Sequence, residues 1–180
     1  MQPTSRTAVP TMDVYVAQRN ATLPQLRARV AEFEAIGVTG VLASDHLFVP
    51  RPDQRAQGRL PHEPITTLTT IAALSDRLRV GTIVSNIGFL HPALVLRQFA
   101  QMAVLFGGER IVAGLGAGWG RDEFEALGLR MPPHHARVGR LEEAARLARE
   151  MFDTGLGNLE GEYVVARQLP LAPQPTVAPR

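Results

Sequence analysis

The sequence predicts a parallel α/β fold, and three observations carry that reading. Short apolar runs that look like buried strands alternate four times with helix-patterned segments. Glycine, proline and polar clusters punctuate the junctions between them. The 180 residues are 45% apolar and 20% charged, enough to bury a core and too apolar for a disordered chain. Two architectures use such units, the open doubly wound sheet and the closed eight-fold barrel. Four units take about 150 residues here where a full barrel takes about 250, so a barrel would stop near halfway.

Residues 12–17, with Val14, Tyr15 and Val16, read as the first strand. Leu23, Leu26, Val30, Phe33 and Ile36 recur at helical spacing, with Thr22 before Pro24 at one end and Gly37 past the other. Residues 38–44 then read as a buried strand ending in the polar pair Asp45-His46. Residues 47–62 change character, rich in proline and arginine, and are expected to form an irregular insertion. Helical spacing resumes over 65–74, and residues 79–84 read as a third strand. Pro92 opens a helix that Gly107-Gly108 closes, and residues 111–115 form a fourth strand running into a glycine-rich loop. Residues 121–127 and 136–152 predict a broken helix interrupted by Pro132-Pro133. A short hairpin or strand follows near 159–169, and four prolines in the last eleven residues exclude a helix or central strand there. The whole chain, 1–180, reads as a single domain.

All nineteen basic residues are arginine, so the pI of about 9.9 accompanies a formal charge of only +2. Almost nothing titrates between about pH 8 and 10 to hold the pI down. The arginines are interspersed with Asp and Glu, as in Arg140, Glu142, Glu143 and Arg146, and form no nucleic-acid stripe. The absence of cysteine excludes disulfides, thiolate nucleophiles and Cys-ligated clusters, and a cytoplasmic setting is expected. No apolar stretch approaches the roughly 18 residues of a membrane span.

In either architecture ligands bind at the C-terminal ends of parallel strands. Those positions hold Asp45 and His46, then Ser85 and Asn86, then Gly116 to Gly120. An acid beside an imidazole can tune it for proton transfer near neutral pH; a turn-capping Asp and a carbonyl-bonded His fit the residues equally well. The glycines miss the dinucleotide fingerprint: G-x-G-x-x-G begun at Gly114 meets Trp119, and begun at Gly116 meets Arg121. What remains is a small-residue wall that lets a flat ligand or another backbone approach. Without lysine there is no P-loop. His62-Glu63 does not complete HExxH, adjacent His134-His135 point apart on a helix, and no metal site is expected. His91-Pro92 reads as a helix start.

Taken in order, GVTGVLASDH at 37–46, RVGTIVSNIGFLHPALVLRQF at 79–99, GGERIVAGLGAGWGRDEFEALG at 107–128 and EGEYV near 160 resemble the bacterial luciferase-like monooxygenase superfamily. Within it the chain looks most like oxidoreductases that use the deazaflavin coenzyme F420. The resemblance covers residues 12–175 and implies a (βα)8 TIM barrel, of which this chain holds the first four to five βα units. It implies a cofactor berth in the barrel mouth and a homodimer. His46 matches the family's active-site histidine, a proton donor or base during hydride transfer, and Asp45 matches its neighbour near the cofactor. A non-prolyl cis peptide is implied at or near Ile83-Val84, against the back of the ring. Gly116, Gly118 and Trp119 match the pocket-lining segment after strand four, and Ser85 and Asn86 fall in the cofactor region. Where this chain has Trp119, several F420 enzymes carry Glu, so the sugar-phosphate dehydrogenase subtype is not implied.

The implied activity is hydride transfer between F420 and a small organic substrate. The alternatives are an FMN-dependent monooxygenase using reduced flavin and oxygen, and a non-catalytic, truncated flavin-binding half-barrel. Family members are longer, their second half supplying four more strands and most phosphate-tail contacts, so a truncated or partial product is the expectation. Strands one and four would then present exposed flanks.

Overall fold

The computed structural model describes residues 12–15, 21–48 and 62–180. The expected end of the first strand at 16–17 and positions 49–61 of the insertion lie outside the described residues.

Strand β1, Asp13–Tyr15, leads to helix α1, Leu23–Ala35, where Pro24 occupies the first turn and Gln25 Oε1 accepts the Thr22 N–H at 2.8 Å. Helix α1 turns Leu26 and Val30 inward and delivers the chain to β2, Gly40–Ala43, whose Val41 is fully buried. After the insertion, the Glu63 carboxylate caps α2, Pro64–Leu74, by accepting from the Ile65 and Thr66 amides. Strand β3, Arg79–Thr82, follows, and β4, Ser85–Asn86, continues beyond it. His91 starts α3, Pro92–Phe106, as the His-Pro dipeptide predicts: its Nδ1 accepts the Ala93 N–H while Nε2 donates to the Val165 carbonyl. A 3₁₀ turn at Gly108–Arg110 leads into β5, Ile111–Val112, and β6, Leu115–Gly116. Then come α4, Arg121–Ala126, α5, His134–Thr154, and a hairpin of β7, Leu156–Glu160, with β8, Val165–Pro170.

The sheet is parallel in the order β1-β2-β3-β5, with Val14 opposite Val41, Val41 opposite Val80, and Val80 opposite Ile111. Such pairing needs helical crossovers, which bury the opposite faces of α1, α2 and α3 on the sheet. Leu68, Leu78, Val80, Phe99 and Ile111 form the centre of that core, each at 0% exposure. A second core joins α3 to α5 and the hairpin through Leu96, Ala100, Leu147, Met151 and Val164.

Two expected strands are each interrupted. The third was expected unbroken over 79–84, but the Ile83–Val84 peptide is cis and the ladder resumes only at Ser85. The fourth breaks at Ala113 and Gly114, where the Gly114 carbonyl accepts from both Thr82 Oγ1 at 2.7 Å and the Ser85 N–H at 2.8 Å. The small β4–β6 pair therefore forms a separate parallel ladder past the main sheet. At the other edge of β5, the Arg180 N–H donates to the Ile111 carbonyl and its own carbonyl accepts from the Ala113 N–H.

The hairpin is locked to α5 by Glu143, whose carboxylate accepts the backbone N–H groups of Glu162, Tyr163 and Val164 at 2.7–2.8 Å. Burial alone would raise this carboxyl, but the three amides, aided by Arg146, outweigh it and hold it below its usual value of 4.5. A depressed carboxylate stabilises the fold fully above its unfolded value and loses that contribution as pH falls through its folded value. Glu143→Gln is therefore expected to be less stable near neutrality and to show a flatter decline on acidification, measured by urea unfolding at several pH values; a parallel decline in both proteins would contradict this assignment.

Candidate active site

Backbone bonds tie the strand ends of the sheet into one rim. Ile83 donates to the Ala43 carbonyl at 2.7 Å and Asp45 to the Val84 carbonyl at 3.3 Å. Ser85 donates to Gly114 at 2.8 Å and Ile87 to Gly116 at 3.1 Å. The segments after β2, β3 and β5, distant from one another along the chain, are thereby set side by side, at the end where parallel α/β folds bind ligands.

They enclose a cavity of about 280 Å³ whose lining includes Asp45, His46, Ile83, Val84, Asn86, Gly116, Gly118 and Trp119. Eight of the nine residues read from the sequence as site candidates thus share one wall. Ser85 is the exception. Its side chain is buried with Oγ 3.1 Å from Thr82 Oγ1, and it lines an adjoining cavity of about 260 Å³ that Asp45 and Asn86 also line.

The wall is apolar along Ile83, Val84 and Trp119. Ile83 and Val84 are 52% and 41% exposed, unusual for aliphatic residues beside a buried strand, and Trp119 is 63% exposed. Opposite Val84, Gly116 admits no side chain: a Cβ there would lie 2.1 Å from Val84 Cγ2. The Trp119 ring meets the His46 imidazole edge-on, with centroids 5.4 Å apart and planes at 75°.

The polar groups do not pair as the sequence suggests. Asp45 does not hold the adjacent imidazole; its Oδ2 accepts the Asn86 N–H at 2.9 Å. Burial raises the Asp45 carboxyl, Glu63 and Glu123 raise it further, and the Asn86 amide and His46 pull it back only in part. The partner of His46 is Glu123, from the first turn of α4, with Oε2 at 3.0 Å and Oε1 at 3.2 Å from Nδ1. Glu123 is 2% exposed, and its Oε1 also accepts the Leu47 N–H at 2.7 Å. It was not among the residues singled out from the sequence. Asp122, Glu123 and Glu125 all stand beside Phe124, and nothing in their order marks the inward one; Phe124, at 1% exposure and 5.1 Å from the Phe89 ring, fixes the rotation that turns Glu123 inward.

Together, an apolar shelf, a glycine wall and an imidazole backed by a carboxylate can receive a planar ring and exchange a proton beside it. Among the described residues no group of His, Asp and Glu is arranged to hold a metal ion, and no helix is long and apolar enough to cross a membrane.

A family model described as luciferase-like monooxygenase matches residues 6–179. Among curated proteins the chain is 30% identical over 131 residues to an F420-dependent glucose-6-phosphate dehydrogenase of Amycolatopsis mediterranei, covering 72% of this chain and 38% of that protein. It is 33% identical over 133 residues to the Mycobacterium avium enzyme of the same description, again over 72% and 38%. Among solved structures it resembles an F420-dependent secondary alcohol dehydrogenase in complex with an F420-acetone adduct, with TM-score 0.79, 18% identity, and coverage of 95% of this chain and 51% of that one. A riboflavin lyase with modified FMN and riboflavin superposes with TM-score 0.75 at 16% identity, over 89% and 46%. At these identities the structural likenesses establish the fold, a luciferase-like barrel of which this chain spans about half.

Proposed function

Because the chain belongs to the luciferase-like monooxygenase family, we propose that its site serves hydride transfer between coenzyme F420 and a small organic substrate, with His46 exchanging the accompanying proton. The observation that carries this reading is the joining of His46, the Ile83-Val84 shelf and the Gly116–Trp119 loop around one cavity. The residues present suit a planar ring: Ile83, Val84 and Trp119 offer apolar faces, and Gly116, having no side chain, lets Val84 pack directly against its backbone. Asn86, Gly118 and Asp45 would hold its polar edge. When bound, F420 supplies a carbon that accepts or returns a hydride. The protein's part is to orient the substrate carbon, exclude water with the apolar shelf, and take the hydroxyl proton at a ring nitrogen of His46 as the hydride departs.

FMN with oxygen is the second reading, since an apolar shelf and a glycine wall do not distinguish two tricyclic rings and a neighbour of the same fold holds modified FMN. A homodimer in the cytoplasm completes the proposal, supported by Leu90, Leu94 and Leu105, which are 45–58% exposed around a groove between α2 and α3, and by the absence of cysteine.

Spectroscopic titration of the purified chain with F420 and with FMN tests the reading. Saturable F420 binding in about the micromolar range, abolished in Gly116→Val, is expected. Binding of FMN alone would favour the second reading, binding of either without turnover the non-catalytic half-barrel, and binding of neither would reject the ring site. Sedimentation of the same sample as a monomer would remove the dimer.

A further inference from the structure

We propose that Glu123 is the positioning residue that selects the tautomer of His46, which deepens the reading of His46 as the proton-exchanging group and rests on it. The carboxylate has no proton to offer, so His46 Nδ1, 3.0 Å from Oε2, must be the donor. That leaves Nε2 as the unprotonated nitrogen, free to take a proton from substrate, and places a negative charge behind the imidazolium that results. The balance is complete: one proton passes from the substrate hydroxyl to Nε2, the Nδ1 proton stays on the ring, and Glu123 neither gains nor loses a proton.

Three features argue that the arrangement is built for this purpose. Glu123 is buried and bridges two elements, holding the Leu47 N–H with Oε1 and the imidazole with Oε2, so it orients the ring and the backbone just after it together. The other carboxylate nearby, Asp45, is directed to the Asn86 amide, and Glu63 is engaged in capping α2, so neither competes for Nδ1. The carboxylate also folds back over Gly120, where a Cβ would lie 2.3 Å from Oε2. The Trp119 ring meets the imidazole from its edge.

Glu123→Gln makes a sharp test because the Leu47 N–H orients the amide. With the Gln oxygen accepting from Leu47, its NH₂ faces Nδ1, which must then become the acceptor, and the proton moves to Nε2. Long-range ¹H–¹⁵N spectra of the full chain, with His46 identified by its loss in His46→Gln, read the tautomer without any need for turnover. The expected result is the Nδ1–H form in the parent and the Nε2–H form in Glu123→Gln, with kcat for F420-dependent oxidation lowered about 10²- to 10⁴-fold and cofactor affinity kept. Gly120→Ala, which displaces the carboxylate and keeps its charge, is expected to mix the two forms. An Nε2–H form in the parent, or no change in Glu123→Gln, would overturn the proposal. A clean tautomer switch with unchanged turnover would uphold the positioning by Glu123 and instead defeat the assignment of proton exchange to His46.

Discussion

Replacing His46 by glutamine is expected to leave F420 binding within about threefold of the parent while lowering turnover by about 10²- to 10⁴-fold. At roughly 1.4 kcal/mol per tenfold, that is about 3–5 kcal/mol of lost transition-state stabilisation. The separation of the two effects follows from the site. The surface offered to a ring comes mainly from Ile83, Val84 and the loop from Gly116 to Trp119; Ile83, Val84 and Gly116 are held by backbone bonds that do not involve the imidazole, while Trp119 touches it edge-on. Glutamine preserves polarity and approximate size but has no nitrogen that can take a proton near neutral pH. Steady-state kinetics with a secondary alcohol, alongside fluorescence titration of F420, make the comparison; equal loss of affinity and turnover would mean that His46 binds rather than reacts.

Phe99→Ala is expected to cost about 3–5 kcal/mol of stability. Phe99 is completely buried on the inner face of α3, in the core that packs α2 and α3 on the β2–β3–β5 sheet. Alanine would leave a cavity lined by side chains held in place by parallel strand pairing, which limits collapse. Native domains are stable by only about 5–15 kcal/mol, so this variant should unfold at markedly lower urea. Leu94→Ala provides the contrast on the same helix: Leu94 is 50% exposed, and its loss should cost under about 0.5 kcal/mol in the monomer. Similar midpoints for both variants would show that α3 does not carry the core.

The main helices and strands were legible along the chain because their signals are local. Pro24, Pro64 and Pro92 each stand at a helix start, and Gly107 and Gly155 stand just past helix ends. The strand interruptions were less legible from residue patterns, since residues 79–84 and 111–115 contain no proline or acidic residue to mark a break and their pattern alone predicts unbroken strands. The resemblance to the family supplied the cis peptide at Ile83–Val84, which the structure contains.

The candidate site divides along the same line. Asp45, His46 and the glycine loop announce themselves by standing at strand ends, where topology alone directs attention. Ser85 stands there too, yet its hydroxyl is buried against Thr82 Oγ1. From its order of residues the protein determines where polar chemistry meets an apolar sheet, because turn chemistry and hydrophobic period act over a few positions. Which acid backs His46 was decided only in three dimensions: Glu123 lies 77 residues away, and the burial of Phe124 beside it sets the helix rotation that brings its carboxylate to Nδ1. Long-range packing, not local propensity, makes that choice.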